Sequence, residues 1–197
     1  MSIISKVLYR TMISAGGILE KKFNKYTLNS KSVNEEVLFK IINKNKKCKY
    51  GEKYNFSSIK SINEYKEKVP ITDYSAYEQY INEMLKGEKN ILISDEVEYF
   101  GHTSGTTGKQ KLIPVTKKSR EVGSKYMALL IERFAYNNLK NQWNYGRGLM
   151  LADTVMTTYS EGGVPICSAT SGGMDAIKFI LPKIYTSPYE VMKIKDK

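Results

Sequence analysis

Tyr99-Phe100-Gly101-His102-Thr103-Ser104-Gly105-Thr106-Thr107-Gly108-Lys109-Gln110-Lys111-Leu112-Ile113-Pro114-Val115 contains two short β-type runs on either side of a loop. Thr103 to Gly108 are four hydroxyl residues and two glycines, and Lys109 and Lys111 follow. Glycines let backbone N–H groups converge on an anion without a Cβ in the way. Threonine and serine hydroxyls can donate to phosphate oxygens, and a lysine adds a charge-assisted bond. These are the ingredients of a polyphosphate cradle. The loop is not the G-x-x-x-x-G-K-[ST] type: Thr103 stands where the first glycine belongs, and Gln110 follows Gly108-Lys109. It leads into β-like residues, so the expected unit is strand–loop–strand. A plain hairpin turn uses the same residue types, and the residues alone leave both readings open.

Working outward, the upstream chain reads as helical. Ile3, Ile4, Val7, Leu8, Met12, Ile13 and Leu19 recur at roughly helical spacing, with Gly16-Gly17 expected to kink or loosen that helix. Ser32-Val33-Asn34-Glu35 is a capping box before Val37, Leu38, Ile41 and Ile42, predicting a second helix that ends near the Lys44–Lys49 cluster. Ser61-Ile62-Asn63-Glu64 is another box, before a helix stopped by Pro70. Asp73 or Ser75 is expected to cap the next helix, which carries Tyr77, Tyr80, Ile81, Met84 and Leu85, and Gly87 closes it. Tyr74, Tyr77 and Tyr80 share helical spacing and read as packing residues.

From residue 91 the texture changes. Ile91-Leu92-Ile93 and Val97-Glu98-Tyr99-Phe100 are β-type runs. A long helix is predicted from Lys118 to Leu139, with Val122, Tyr126, Leu129, Leu130 and Phe134 inward. Leu149-Met150-Leu151-Ala152 is a buried-strand candidate, and Glu161-Gly162-Gly163-Val164-Pro165 is a turn. Asp175–Leu181 reads as a short helix before Pro182, and Tyr189 begins another. Helices followed by mixed strands and helices define an α/β class behind a helical N-terminal layer. The expected organisation is 1–90 mainly helical and 91–197 α/β around the loop at 103–111, the whole being one incomplete N-terminal portion of a larger domain.

Composition excludes several classes. The 197 residues carry 31 Lys+Arg against 20 Asp+Glu, a formal net charge of +11, with 41% apolar and 26% charged residues. That composition is globular rather than disordered. Only Arg10, Arg120, Arg133 and Arg147 are arginines, and lysine is the poorer bidentate reader of phosphate and bases. Two cysteines, Cys48 and Cys167, make no disulfide framework and fit reduced, cytoplasmic thiols. With one histidine, His102, a multi-histidine metal site is excluded, and no metal ligand is assigned. His102 reads as a hydrogen-bonded structural residue, and Cys167 as a buried thiol. The uncharged run Thr11–Leu19 is too short for a membrane span.

Thr103-Ser104-Gly105-Thr106-Thr107-Gly108-x-x-Lys111 resembles the phosphate-binding signature of acyl-adenylate-forming enzymes, departing at Gln110, where many members carry proline. Val69-Pro70-Ile71-Thr72-Asp73-Tyr74, Tyr80-Ile81 and Gly87-Glu88 upstream, with Glu161-Gly162-Gly163-Val164-Pro165 and Thr170-Ser171 downstream, resemble the auxin-responsive promoter family of acyl acid–amido synthetases. The resemblance runs from about Val37 to Pro188. It implies the N-terminal part of the large domain of the adenylate-forming, luciferase-like fold. It also implies ATP with Mg2+, a carboxylic acid substrate, and an amine or amino acid acceptor. By carry-over, Thr103, Ser104, Gly105, Thr106, Thr107, Gly108 and Lys111 bind the ATP phosphates, while the catalytic residues are not assigned. Val164, Ala169 and Thr170 fall near the acyl pocket by the same analogy. The family's aromatic-x-Ser/Thr-Glu and Tyr-Arg-x-Gly-Asp segments are missing. Tyr159-Ser160-Glu161 comes too early to be the former. The expectation is thus an N-terminal fragment, inactive alone, with no nucleic-acid or membrane partner. The competing readings are an acyl- or aryl-CoA ligase fragment and a non-catalytic basic nucleic-acid-binding module.

Overall fold

The computed structural model describes residues 3–103, 110–134, 148–149, 158–175, 178–179, 181–186, 189–192 and 194. They divide into two compact units. One comprises Asn29–Lys117 and Thr158–Ile166; the other comprises Met1–Leu28, Lys118–Thr157 and Cys167–Lys197.

The first of these units contains the loop's hairpin. Its helices are α2 (Ser30–Asn45), α3 (Lys49–Lys53), α4 (Ile62–Lys68) and α5 (Ser75–Leu85), with a 3-10 turn at Phe56–Ser58. Helix α2 starts earlier than its capping box predicts. Asn29 is the N-cap, its side chain making no capping bond, and its carbonyl already accepts from the Val33 N–H at 3.0 Å. The Ser61 cap forms as read, Ser61 Oγ accepting from the Glu64 N–H at 3.2 Å, but the return bond of the box goes one residue further back: Glu64 Oε2 accepts from the Lys60 N–H at 2.7 Å rather than from that of Ser61. Tyr74 occupies the N-cap of α5, while Asp73 accepts from both the N–H and the hydroxyl of Ser75. Gly87, at φ +95°, ends α5 in a Schellman motif: its N–H donates to the Met84 carbonyl and the Glu88 N–H to the Glu83 carbonyl.

The strands are β1 (Val97–His102), β2 (Leu112–Thr116), β3 (Thr158–Tyr159) and β4 (Pro165–Ser168), ordered β2-β1-β4-β3 in one sheet. β1 and β2 pair antiparallel, with His102 opposite Leu112, Phe100 opposite Pro114, and a bulge between Val97 and Tyr99. Ile91-Leu92-Ile93 is not a strand. Its segment is tied to α3 instead, where Lys49 N–H donates to the Asn90 carbonyl at 2.8 Å and Tyr50 N–H to the Ile91 carbonyl at 3.0 Å. Phe100, fully buried, packs with Tyr80, Ile81, Met84 and Ile91. A second cluster joins Ile42, Phe56, Ile59 and Val69, and Tyr50 packs against both. The Tyr50 ring lies 4.7 Å from Tyr54, 5.5 Å from Tyr80, 5.6 Å from Tyr77 and 6.0 Å from Phe56. Burial pushes its phenol well above the ordinary tyrosine range.

The other unit contains α1 (Ile3–Leu28), α6 (Lys117–Phe134, from Lys118 onward), α7 (Ala169–Asp175), α8 (Leu181–Ile184) and α9 (Tyr189–Met192). Helix α1 runs unbroken through Gly16-Gly17. Gly16 is buried, so the glycine sits where the helix is covered rather than where it bends. Leu129 is buried, whereas Val122, Tyr126 and Leu130 are 42%, 58% and 62% exposed, so the predicted inward stripe is mostly on the surface. Val122, Tyr126 and Leu129 line a shallow groove of about 180 Å³ with Leu19, Phe23 and Tyr26 of α1. The Phe134 side chain, the end of the predicted helix at Leu139, and Met150 to Ala152 lie outside the described residues. Leu149 is 74% exposed, and its neighbour Gly148 bridges Tyr185 in parallel. Asp175 is the last described residue of α7, residues 176, 177 and 180 of the helix expected from it lie outside the described residues, and Pro182 lies inside α8. Cys48 and Cys167 are buried and neither is in a disulfide, and burial raises the Cys48 thiol above its ordinary value. No described helix is long and apolar enough to cross a membrane.

Candidate functional site

The foot of the β1–β2 hairpin is where the sequence signature begins and ends. Thr103 and Lys111 face each other there: the Thr103 N–H donates to the Lys111 carbonyl at 3.1 Å. Ser104, Gly105, Thr106, Thr107 and Gly108 lie outside the described residues. The strand–loop–strand reading is therefore correct at both ends. In an antiparallel ladder, alternate residues turn their N–H and C=O toward the partner strand. Lys111 faces β1, so Leu112 and Pro114 turn outward, and β2 is an edge of the sheet. Pro114 has no N–H to leave unpaired there. Leu112 has both groups, and one side chain satisfies them. Tyr74 Oη accepts from the Leu112 N–H at 2.8 Å and donates to the Leu112 carbonyl at 3.0 Å.

The same tyrosine sits beneath Lys111, whose exposed ammonium lies 5.6 Å from the Tyr74 ring centroid. Asp73, next in sequence, is held below the ordinary carboxylate range, chiefly by the Ser75 hydroxyl and least by the Lys111 charge. Thr72 donates to Tyr77 Oη at 3.0 Å, and Tyr77 Oη lies 3.5 Å from Tyr50 Oη. The segment 72–74 is thus anchored to the aromatic cluster on one side and to the hairpin on the other. Reading Tyr74 with Tyr77 and Tyr80 as one packing set misses this. The available signal was its place between Asp73 and Ser75, before the helix proper.

Elsewhere in this unit, the turn after β3 is pinned by backbone. Gly162 N–H donates to the Leu85 carbonyl at 2.8 Å, Ser160 N–H donates to the Val164 carbonyl, and Gly163 adopts φ +77°. Glu161 belongs to this turn. Among the described residues no cluster of three or more histidine, cysteine, aspartate or glutamate side chains is poised to hold a metal. Val164 lines a cleft of about 460 Å³ with Met84, Ile93, Asp95, Val97 and Gly162. Ala169 and Thr170 are exposed at the start of α7, in the other unit.

This architecture is that of the acyl acid amido synthetases, which have the adenylate-forming α/β fold. A solved structure described as "GH3.15 acyl acid amido synthetase" superposes with a TM-score of 0.72 at 19% identity, covering 88% of this chain and 30% of that one. The sequence matches the profile described as "GH3 family N-terminal domain" over residues 19–197, and the chain belongs to the GH3 family. Among curated relatives, it is 26% identical over 177 residues to "Probable indole-3-acetic acid-amido synthetase GH3.11" of Oryza sativa subsp. japonica, covering 86% of this chain and 29% of that protein. It is 28% identical over 181 residues to "4-substituted benzoates-glutamate ligase GH3.12" of Arabidopsis thaliana, covering 88% and 31%. The chain thus spans less than a third of the length of these two relatives.

Proposed function

We propose that the chain carries the ATP-phosphate loop of an acyl acid–amido synthetase, which activates a carboxylic acid as its acyl-adenylate and passes the acyl group to an amine or amino acid. The observation that carries this reading is a hydroxyl- and glycine-rich loop hung on an antiparallel hairpin, with exposed Lys111 at its foot. The donor set suits polyphosphate. Thr103, Ser104, Thr106 and Thr107 offer hydroxyls, Gly105 and Gly108 offer unobstructed amides, and Lys111 offers the cation. Their work is electrostatic, holding negative oxygens while a carboxylate approaches. Bound ATP with Mg2+ supplies the electrophilic phosphorus and the pyrophosphate leaving group. Lys111 is the residue whose charge opposes that of the leaving group.

Residues 1–197 are, in this proposal, the N-terminal portion of a larger adenylate-forming domain, a reading supported by their short span against the relatives. Two buried cysteines outside any disulfide support a reducing, cytoplasmic setting. The complete protein is expected to catalyse carboxylic-acid-dependent exchange of labelled pyrophosphate into ATP. Products are expected with amino acids rather than with coenzyme A. Exchange that needs no acid, or thioester as the only product, contradicts the proposal.

A further inference from the structure

We infer that Tyr74 is a positioning residue for Lys111 at the foot of the phosphate loop, its phenol locking Leu112, the first residue of the strand that follows, and its ring seating the lysine ammonium. The inference rests on the phosphate-loop reading above.

Leu112, the residue after Lys111, lies on an edge strand and turns both its peptide groups away from β1. Edge groups of this kind are left to water or to an intruding strand unless something covers them. A phenolic oxygen is at once donor and acceptor, and Tyr74 Oη uses both capacities on one residue, at 2.8 and 3.0 Å. Two bonds from one rigid side chain fix Leu112 in position and orientation. The Lys111 backbone is then held from the other side by Thr103, at 3.1 Å. The ring of the same tyrosine lies 5.6 Å below the ammonium, so backbone and side chain of Lys111 are referred to one group. Tyr74 is in turn held at the head of α5 by the Asp73–Ser75 bonds. A cationic group placed before its anion arrives costs less to order on binding.

The test compares MgATP binding by the unmodified chain with three variants, alongside amide hydrogen exchange at Leu112 and near-ultraviolet circular dichroism. Tyr74→Phe keeps the ring and removes the clamp. It is expected to speed Leu112 exchange and raise the Kd for MgATP about tenfold, with the dichroism unchanged. Tyr74→Leu also removes the seat and should weaken binding further. Thr72→Val cuts the neighbouring bond to Tyr77 without touching Leu112, and should leave the Kd where it was. Binding by the unmodified chain with the same Kd in Tyr74→Phe overturns this inference and spares the phosphate-loop reading. Equal weakening in Tyr74→Phe and Thr72→Val also overturns it, because a general loosening of the segment would then suffice. No binding by any of the four proteins removes both.

Discussion

At Gly162 a hydrogen atom decides the packing. A Cβ built there would lie 2.6 Å from the backbone N and Cα of Gly87, where backbone cannot yield as a side-chain tip can. The two glycines let the β3–β4 turn reach the C-terminus of α5 and place the Gly162 N–H on the Leu85 carbonyl. Gly162→Ala is expected to lower stability by about 2 kcal/mol in urea unfolding, with an unchanged m-value. The sequence marks Gly162-Gly163 as a turn, and that reading is correct. Gly163 is the residue at positive φ, the ordinary reason for glycine in a turn. The reason for Gly162 was not legible, because its neighbour is 75 positions away in the chain. Tyr74 was missed on the same ground: its partner, Leu112, is 38 residues away. Local periodicity places such a residue on a helix face and says nothing about a distant strand edge.

At the scale of elements, local chemistry was legible where it acts locally. The Ser61 cap, the Gly87 stop and the two arms of the hairpin follow from residues within a few positions of each other. Ile91-Leu92-Ile93 was misread because an apolar run signals burial without saying which backbone partner it takes. The Ile91 carbonyl went to α3 rather than to a strand, and Ile91 is buried all the same. The α3–α5 pairing also contains an electrostatic link. Lys49 Nζ lies 2.6 Å from Glu83 Oε1, holding the Glu83 carboxyl below its ordinary range and raising the Lys49 ammonium above its own. A depressed carboxylate stabilises the fold above its unfolded pKa of about 4.3 and loses that contribution as the pH falls through the folded value. Lys49 follows the opposite rule, its share fading only as the pH climbs through its raised value. The urea midpoint is therefore expected to fall on acidification below about pH 4.5, and Glu83→Gln should flatten that part of the profile. An unaltered profile in the variant would show that the pair does not contribute.

Taken whole, the chain's +11 charge is a weaker guide than its loop. Part of the basic cluster between Lys44 and Lys49 is engaged within the fold, with Lys44 on Asp95 at 2.5 Å and Lys49 on Glu83. The charge of those two lysines is answered within the fold, and the family match over residues 19–197 does not draw on the net charge. The fold class was legible because the hairpin signature and its flanking segments are local patterns. The division into two units was not legible, since each is assembled from separated stretches of chain. The central claim is that the loop between Thr103 and Lys111 grips a nucleotide's phosphates. It is tested most directly by calorimetric titration of the chain with MgATP, beside a Thr106→Val, Lys111→Ala double variant. Saturable binding that weakens at least about tenfold in the variant is the expected result. Binding of equal strength in both proteins, or none in the unmodified chain, would contradict it.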